Sequence, residues 1–139
     1  MKTSGRSLRI AAVAVVVVAI AVIGWLVWPS PRTPVVLKTG TPQHLVTVTI
    51  DSLRLGETAV DVTVTDRAGA PIDHAAVQIQ AIQPLMGHAG AAVPAAANGS
   101  GRFHAPAVSL MMTGPWELRL SIDAHNGIDQ VTLPLWVGG

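Results

Sequence analysis

The sequence predicts an all-β domain behind one N-terminal membrane helix, and three observations predict it. Ile10 to Trp28 is a run of 19 residues without a charge. From about Leu45 onward, apolar and polar residues alternate with a period of two, the pattern of strands that bury one face. Clusters of turn-forming residues separate the alternating runs.

The apolar run comes first in the chain. At about 1.5 Å per residue, its 19 residues cover roughly 28 Å as a helix, close to the hydrocarbon thickness of a bilayer. Lys2, Arg6 and Arg9 all precede it in a basic tail, residues 1–9, so the positive-inside rule predicts a single-pass anchor with its N-terminus in the cytoplasm. A cleaved signal peptide is the alternative, with Leu8 to Val18 as its apolar region and Ala19-Ile20-Ala21 as the cleavage site. Cleavage there would leave Val22, Ile23, Trp25, Leu26, Val27 and Trp28 at a new terminus, whereas Trp25 and Trp28 suit the interface belt of an anchor. Either way the domain is expected outside the cytoplasm.

Pro29-Ser30-Pro31-Arg32-Thr33-Pro34 predicts an extended spacer, so residues 29–43 read as a linker and 44–139 as the domain. Within the domain, Val46, Val48 and Ile50 form the first alternating run, and Val60, Val62 and Val64 the second. Val77 with Ile79, then Trp116 with Leu118, Leu120 and Ile122, and finally Val131, Leu133, Leu135 and Val137 continue it; Arg102 to Leu110 is a weaker strand. Arg67-Ala68-Gly69-Ala70-Pro71, Asn98-Gly99-Ser100-Gly101 and Asn126-Gly127 supply the turns. Six to seven short strands predict an immunoglobulin-like β-sandwich, with a small closed barrel as the alternative. Pro84 to Gly101 breaks the pattern and reads as a long Ala/Gly-rich loop.

Composition narrows the function. Apolar residues make up 50% of the 139 and charged residues 12%, and once the basic tail is removed six basic residues face eight acidic ones. The domain therefore lacks the basic field that nucleic-acid binding requires. Absence of cysteine excludes disulfides, thiolate metal sites and a cysteine nucleophile. Aromatic packing falls to Phe103, Trp116 and Trp136.

The three internal methionines fall in two short segments, Met86-Gly87-His88 in the long loop and Met111-Met112 before Thr113-Gly114-Pro115-Trp116. Thioether and imidazole are ligands suited to Cu(I), imidazole also to Cu(II), and a site without thiolate suits an oxidising compartment. Gly87 would let the backbone bend so that Met86 and His88 face one ion. The same residues also have ordinary readings: methionine is a common core residue, adjacent strand positions face opposite sides, and a loop histidine is commonly solvated. His104 should face outward if Phe103 is core; His44, His74 and His125, near turns, read as surface residues, and Asp61, Asp66 and Asp73 as solvated carboxylates.

The Met-Gly-His loop, Gly101-Arg102-Phe103 at the next strand, and Met112-Thr113-Gly114-Pro115-Trp116-Glu117-Leu118 resemble the YtkA-like domain family. These are small extracytoplasmic immunoglobulin-like domains related to the FixH proteins. The resemblance runs from about Leu45 to Val137 and implies a bacterial cytoplasmic-membrane protein linked to copper handling or oxidase assembly. Ala89, Gly90, Ala91 and Ala92 stand where the family often carries further methionines and a histidine.

The leading expectation is therefore a membrane-anchored periplasmic copper carrier or assembly factor. Its ligands are expected among Met86, His88 and Met112, with Met111 or His104 as additions, and its metal is expected to be copper, as Cu(I) in preference to Cu(II). The rival expectation is a metal-free interaction module docking on a membrane protein complex. No phosphate loop, zinc-protease motif or nucleophile elbow is present, so no enzymatic activity is expected.

Overall fold

The structure, a computed structural model, describes residues 4–27 and 32–139, with the side chains of the N-terminal helix described from residue 13. The chain divides into two compact units, Met1–Pro31 and Arg32–Gly139. The first contains one helix, α1 (Ser4–Val27). Among the described residues no helix is long and apolar enough to cross a membrane. The expected span Ile10 to Trp28 lies in part outside them, since Trp28 and the side chains before Val13 are not described.

The second unit is all-β, as expected, but it has nine strands rather than six or seven. They are β1 (Val35–Gly40), β2 (His44–Ile50), β3 (Gly56–Asp66), β4 (Ala76–Gln83), β5 (His88–Ala89), β6 (Val93–Ala97), β7 (Arg102–Leu110), β8 (Gly114–Ala124) and β9 (Gly127–Val137). β1 occupies residues expected to be spacer. Its alternating half-buried pattern is short, and in the sequence two prolines, Pro31 and Pro34, come just before it and hide the strand signal. β5 and β6 occupy the expected loop. Alanines dominate β6, and only Val93 and Ala95 lean on the core, so no strong alternation announces it.

All pairings between strands are antiparallel, and the order is β1-β2-β3-β7-β6-β4-β8-β9, with β5 beside β4. β6 carries the sheet around its corner: Val93 and Ala95 pair with β4, whereas Ala96 and Ala97 pair with β7. The result is one nearly closed sheet, intermediate between the sandwich and barrel that the sequence pattern allows.

The buried face follows the period-two reading. Val46, Val48 and Ile50 meet Val60, Val62 and Val64, with Phe103, Trp116, Leu118, Leu120 and Ile122 completing the centre. Burial of each such valine, leucine or isoleucine contributes about 1.5–3 kcal/mol relative to exposure. β7 keeps its apolar face through a bulge. Phe103 and Ala105 are buried, then Val108 and Leu110, while the register against β3 shifts between Thr58 and Val60. Pro106 and Ala107 fill the extra position, where a missing N–H interrupts no ladder. Trp136, expected in the core, is instead 67% exposed on the outer face of β9, because β9 points Leu135 and Val137 inward.

Gly101 fixes the β6–β7 corner. It adopts φ +68°, its carbonyl accepts from Val64 N at 2.8 Å, and an added Cβ would strike the Val64 carbonyl and crowd Pro71 and Ile72. Gly99, at φ +76°, has open space around it. Replacing Gly101 with alanine is therefore expected to destabilise the domain by roughly 2–4 kcal/mol, against about 1 kcal/mol for Gly99→Ala. Equilibrium urea unfolding of the two variants checks the order, which reverses if the corner tolerates a side chain.

Candidate functional site

Because every strand runs along the same direction or its reverse, the connections collect at two ends. One end gathers the loop at residues 51–55, the turn after β4, the bend at residues 111–113 and the last residues of β9. The other gathers the β1–β2 turn, the β3–β4 connection and the β8–β9 turn. An eleven-residue strand such as β8 separates the ends by about 30 Å. Candidate chemistry divides between them: the internal methionines with His88 at the first, His44, His74 and His125 at the second.

At the methionine end, Pro84–Met86 forms a single 3-10 turn. The buried Gln83 side chain accepts from Met86 N at 2.8 Å, and Gly87 closes the turn in the left-handed region at φ +61°. Gly87 thus makes the bend that the sequence suggested, with exposed Met86 on one side and exposed His88 on the other. This turn packs beside β8. Met111 and Met112 lie just past β7, in a bend held by Trp116, whose buried indole N–H donates to the Met112 carbonyl at 2.9 Å. Trp116 fills the core and positions the bend at once. Met86 and Met111 are 69% and 73% exposed, so neither is a packing residue.

His104 does not join them. It precedes Met111 by seven positions along β7, on the order of 20 Å of extended chain, and its Nδ1 lies 2.8 Å from Asp61 Oδ1 on β3. As expected it faces outward, although Asp61 gives it a partner that sequence spacing did not reveal. Among the described residues, no three His, Asp or Glu side chains converge as a metal site.

The histidine end was missed. His44, expected on the surface, is 3% exposed. The β1–β2 turn draws it inward: Thr41 Oγ1 accepts from His44 N at 2.8 Å and donates to Asp129 Oδ2 at 2.5 Å. The same carboxylate oxygen receives His44 Nδ1 at 2.7 Å. An ionised carboxylate only accepts, so the proton on this bond belongs to Nδ1. The Thr41 hydroxyl, first, and then the hydrogen bond and charge of His44 hold the Asp129 carboxyl below its ordinary range, against an opposing effect of partial burial. His44 also lines an open cleft of about 250 Å³ with Ile72, Asp73, His74, His125 and Asn126. His74 and His125 are exposed, as expected. Only the fold brings the three histidines to one cleft; their separations of 30 and 51 residues carry no metal-ligand spacing.

A profile of the FixH family matches residues 44–131. The chain belongs to the FixH family. The FixH match begins at His44 and takes in the strands from β2 into β9, so it covers both the methionine turn and the histidine cleft but neither α1 nor β1. No curated protein and no solved structure matches the chain.

Two outcomes follow from these side-chain contacts. Asp129 has a depressed folded value, so its contribution to stability is complete above about pH 4, the unfolded carboxyl value, and is lost as pH falls through the lower folded value. Asp129→Ala is expected to cost about 1–3 kcal/mol at neutral pH and to flatten that acid limb of the unfolding midpoint. By contrast, His104→Ala removes a half-exposed pair and is expected to change stability by less than about 1 kcal/mol in the same urea titration.

Proposed function

We propose that this FixH-family chain is a membrane-associated accessory domain that docks on a membrane protein complex through its methionine end. The observation that carries the reading is the concentration of exposed apolar side chains there. Leu55, Leu85, Met86, Met111 and Trp136 are all exposed, on four segments at this end of the strands, three of which touch one another. Gly56 pairs with Leu110, Gly138 N donates to the Leu53 carbonyl, and Gly139 lies against Thr113. Exposed apolar side chains gathered in this way mark interaction surfaces, and flexible thioethers adapt to a partner's shape. In this reading α1 is the membrane anchor, the β-domain lies outside the cytoplasm, and the protein works by contact rather than by catalysis. Family membership and the uncharged run Ile10 to Trp28 support that placement.

A second reading rests on the turn after β4. It lies beside β8, which puts Met86, His88 and Met112 at the same end with Met111 adjacent. Two thioethers and one imidazole form a donor set suited to Cu(I), and its exposure suits transfer to a partner. The same end would then both dock and deliver the ion.

Photo-crosslinking in native membranes tests the first reading. A crosslinker at Met111 is expected to capture one discrete membrane protein, one at Gln130 none, and Met86→Glu with Leu85→Glu should reduce capture at Met111 at least about five-fold by placing charge in an apolar contact. Equal capture from both positions would contradict the assignment. For the second, a Cu(I) competition titration against a chromophoric chelator should give one equivalent of submicromolar binding, weakened by both His88→Ala and Met112→Ala. No binding above the chelator background removes the copper reading and leaves docking intact.

A further inference from the structure

The cleft at the opposite end has the makings of a separate site, independent of the docking and copper readings. His44 is almost fully buried, and its Nδ1 edge is committed to Asp129. Its other ring nitrogen, Nε2, has no hydrogen-bond partner among the described residues. Yet among those residues no fully buried polar side-chain atom lacks a partner. Nε2 is therefore the accessible edge by which His44 lines the cleft.

The protonation pattern gives this edge its chemistry. In its neutral form, with the Nδ1 proton donated to an ionised carboxylate, the imidazole presents a bare lone pair at Nε2. A carboxylate behind a histidine fixes the ring's orientation and tautomer, the arrangement that commonly supports a metal-bound imidazole. Thr41 orients the carboxylate in turn, so three residues from two separate elements hold one lone pair toward one cavity. His74 and Asp73 from the β3–β4 connection, together with His125 and Asn126 from the β8–β9 turn, border the same space. Nitrogen and oxygen donors with no thiolate or thioether match borderline divalent transition metals.

We propose that this cleft binds a divalent transition-metal ion, with His44 Nε2 as the preset ligand and His74 and His125 closing onto the ion from their turns. These last two are exposed side chains on connections between strands, and the three imidazoles do not converge before an ion arrives. Binding requires only side-chain and turn adjustment, because His44 and its supports stay in place. The site shares no residue with the methionine end, so either can fail without the other.

A Zn(II) competition titration of the full chain in detergent against a chromophoric chelator tests it. One equivalent is expected to bind tighter than about 10 µM. His74→Gln combined with His125→Gln, both exposed and expected to melt as the parent does, should weaken binding by about ten-fold or more, and His44→Gln by at least as much. His88→Gln combined with His104→Gln should leave it unchanged. Absence of one-equivalent binding overturns the proposal, as does a loss under ten-fold in the His74/His125 double variant. A folded His44→Gln variant, checked by its melting curve, that binds as the parent does would overturn it equally; if that variant does not fold, the exposed double variant decides.

Discussion

A sheet that almost closes has to manage the seam where its two edge strands approach, and here one carboxylate ties one end of that seam. Asp129 stands near the start of β9, while Thr41 and His44 stand at the turn between β1 and β2, at the far edge of the strand order. No strand ladder joins these edges. Side chains do so at one end, through the two hydrogen bonds on Asp129 Oδ2, and backbone does so at the other, through Gly138 N to the Leu53 carbonyl and the bridge of Arg54 with Gly138. An edge strand left open invites pairing with other chains, so ties at both ends of the seam protect the fold as well as shaping it.

The tie also decides what each end offers. Because Asp129 draws His44 inward, the cleft acquires a buried imidazole instead of a solvated one. At the opposite end nothing comparable draws Met86 or Met111 into the core, and Trp116 anchors their neighbourhood while leaving the thioethers outside. Apolar contact and imidazole chemistry are thus separated by the length of the strands. A domain of this size keeps two surfaces distinct when all its strands share one axis.

The strands with strong alternation were legible, because a buried face imposes a period of two on any sequence that must supply it. Val46 to Ile50, Val60 to Val64 and Trp116 to Ile122 all show that imprint. β6 was not legible, since its work is to turn the sheet with alanines, and backbone pairing leaves little mark on side-chain pattern. β1 hid behind prolines for a related reason: an edge strand buries too little to write a clear signal. Gly87 and Trp116 were read for their right roles from local chemistry, as a bend and a core aromatic. His44 was not, because its burial comes from a partner 85 residues away, and a turn histidine beside Thr41 gives no local sign of a carboxylate on the last strand. The cleft histidines are likewise a product of topology. Only Thr41, spaced three residues before His44 where its hydroxyl can meet the His44 amide, offered a hint.

The protonation state of His44 tests the seam most directly. Long-range proton–nitrogen NMR of the imidazoles at neutral pH distinguishes the two tautomers. The carboxylate–histidine tie predicts a proton on Nδ1, with Nε2 bare on the neutral ring, and slow exchange of the Nδ1 proton with water. A proton on Nε2 with a bare Nδ1, or a ring averaging rapidly between tautomers, would contradict the tie, and with it the side-chain closure of this end of the seam and the chemistry of the cleft.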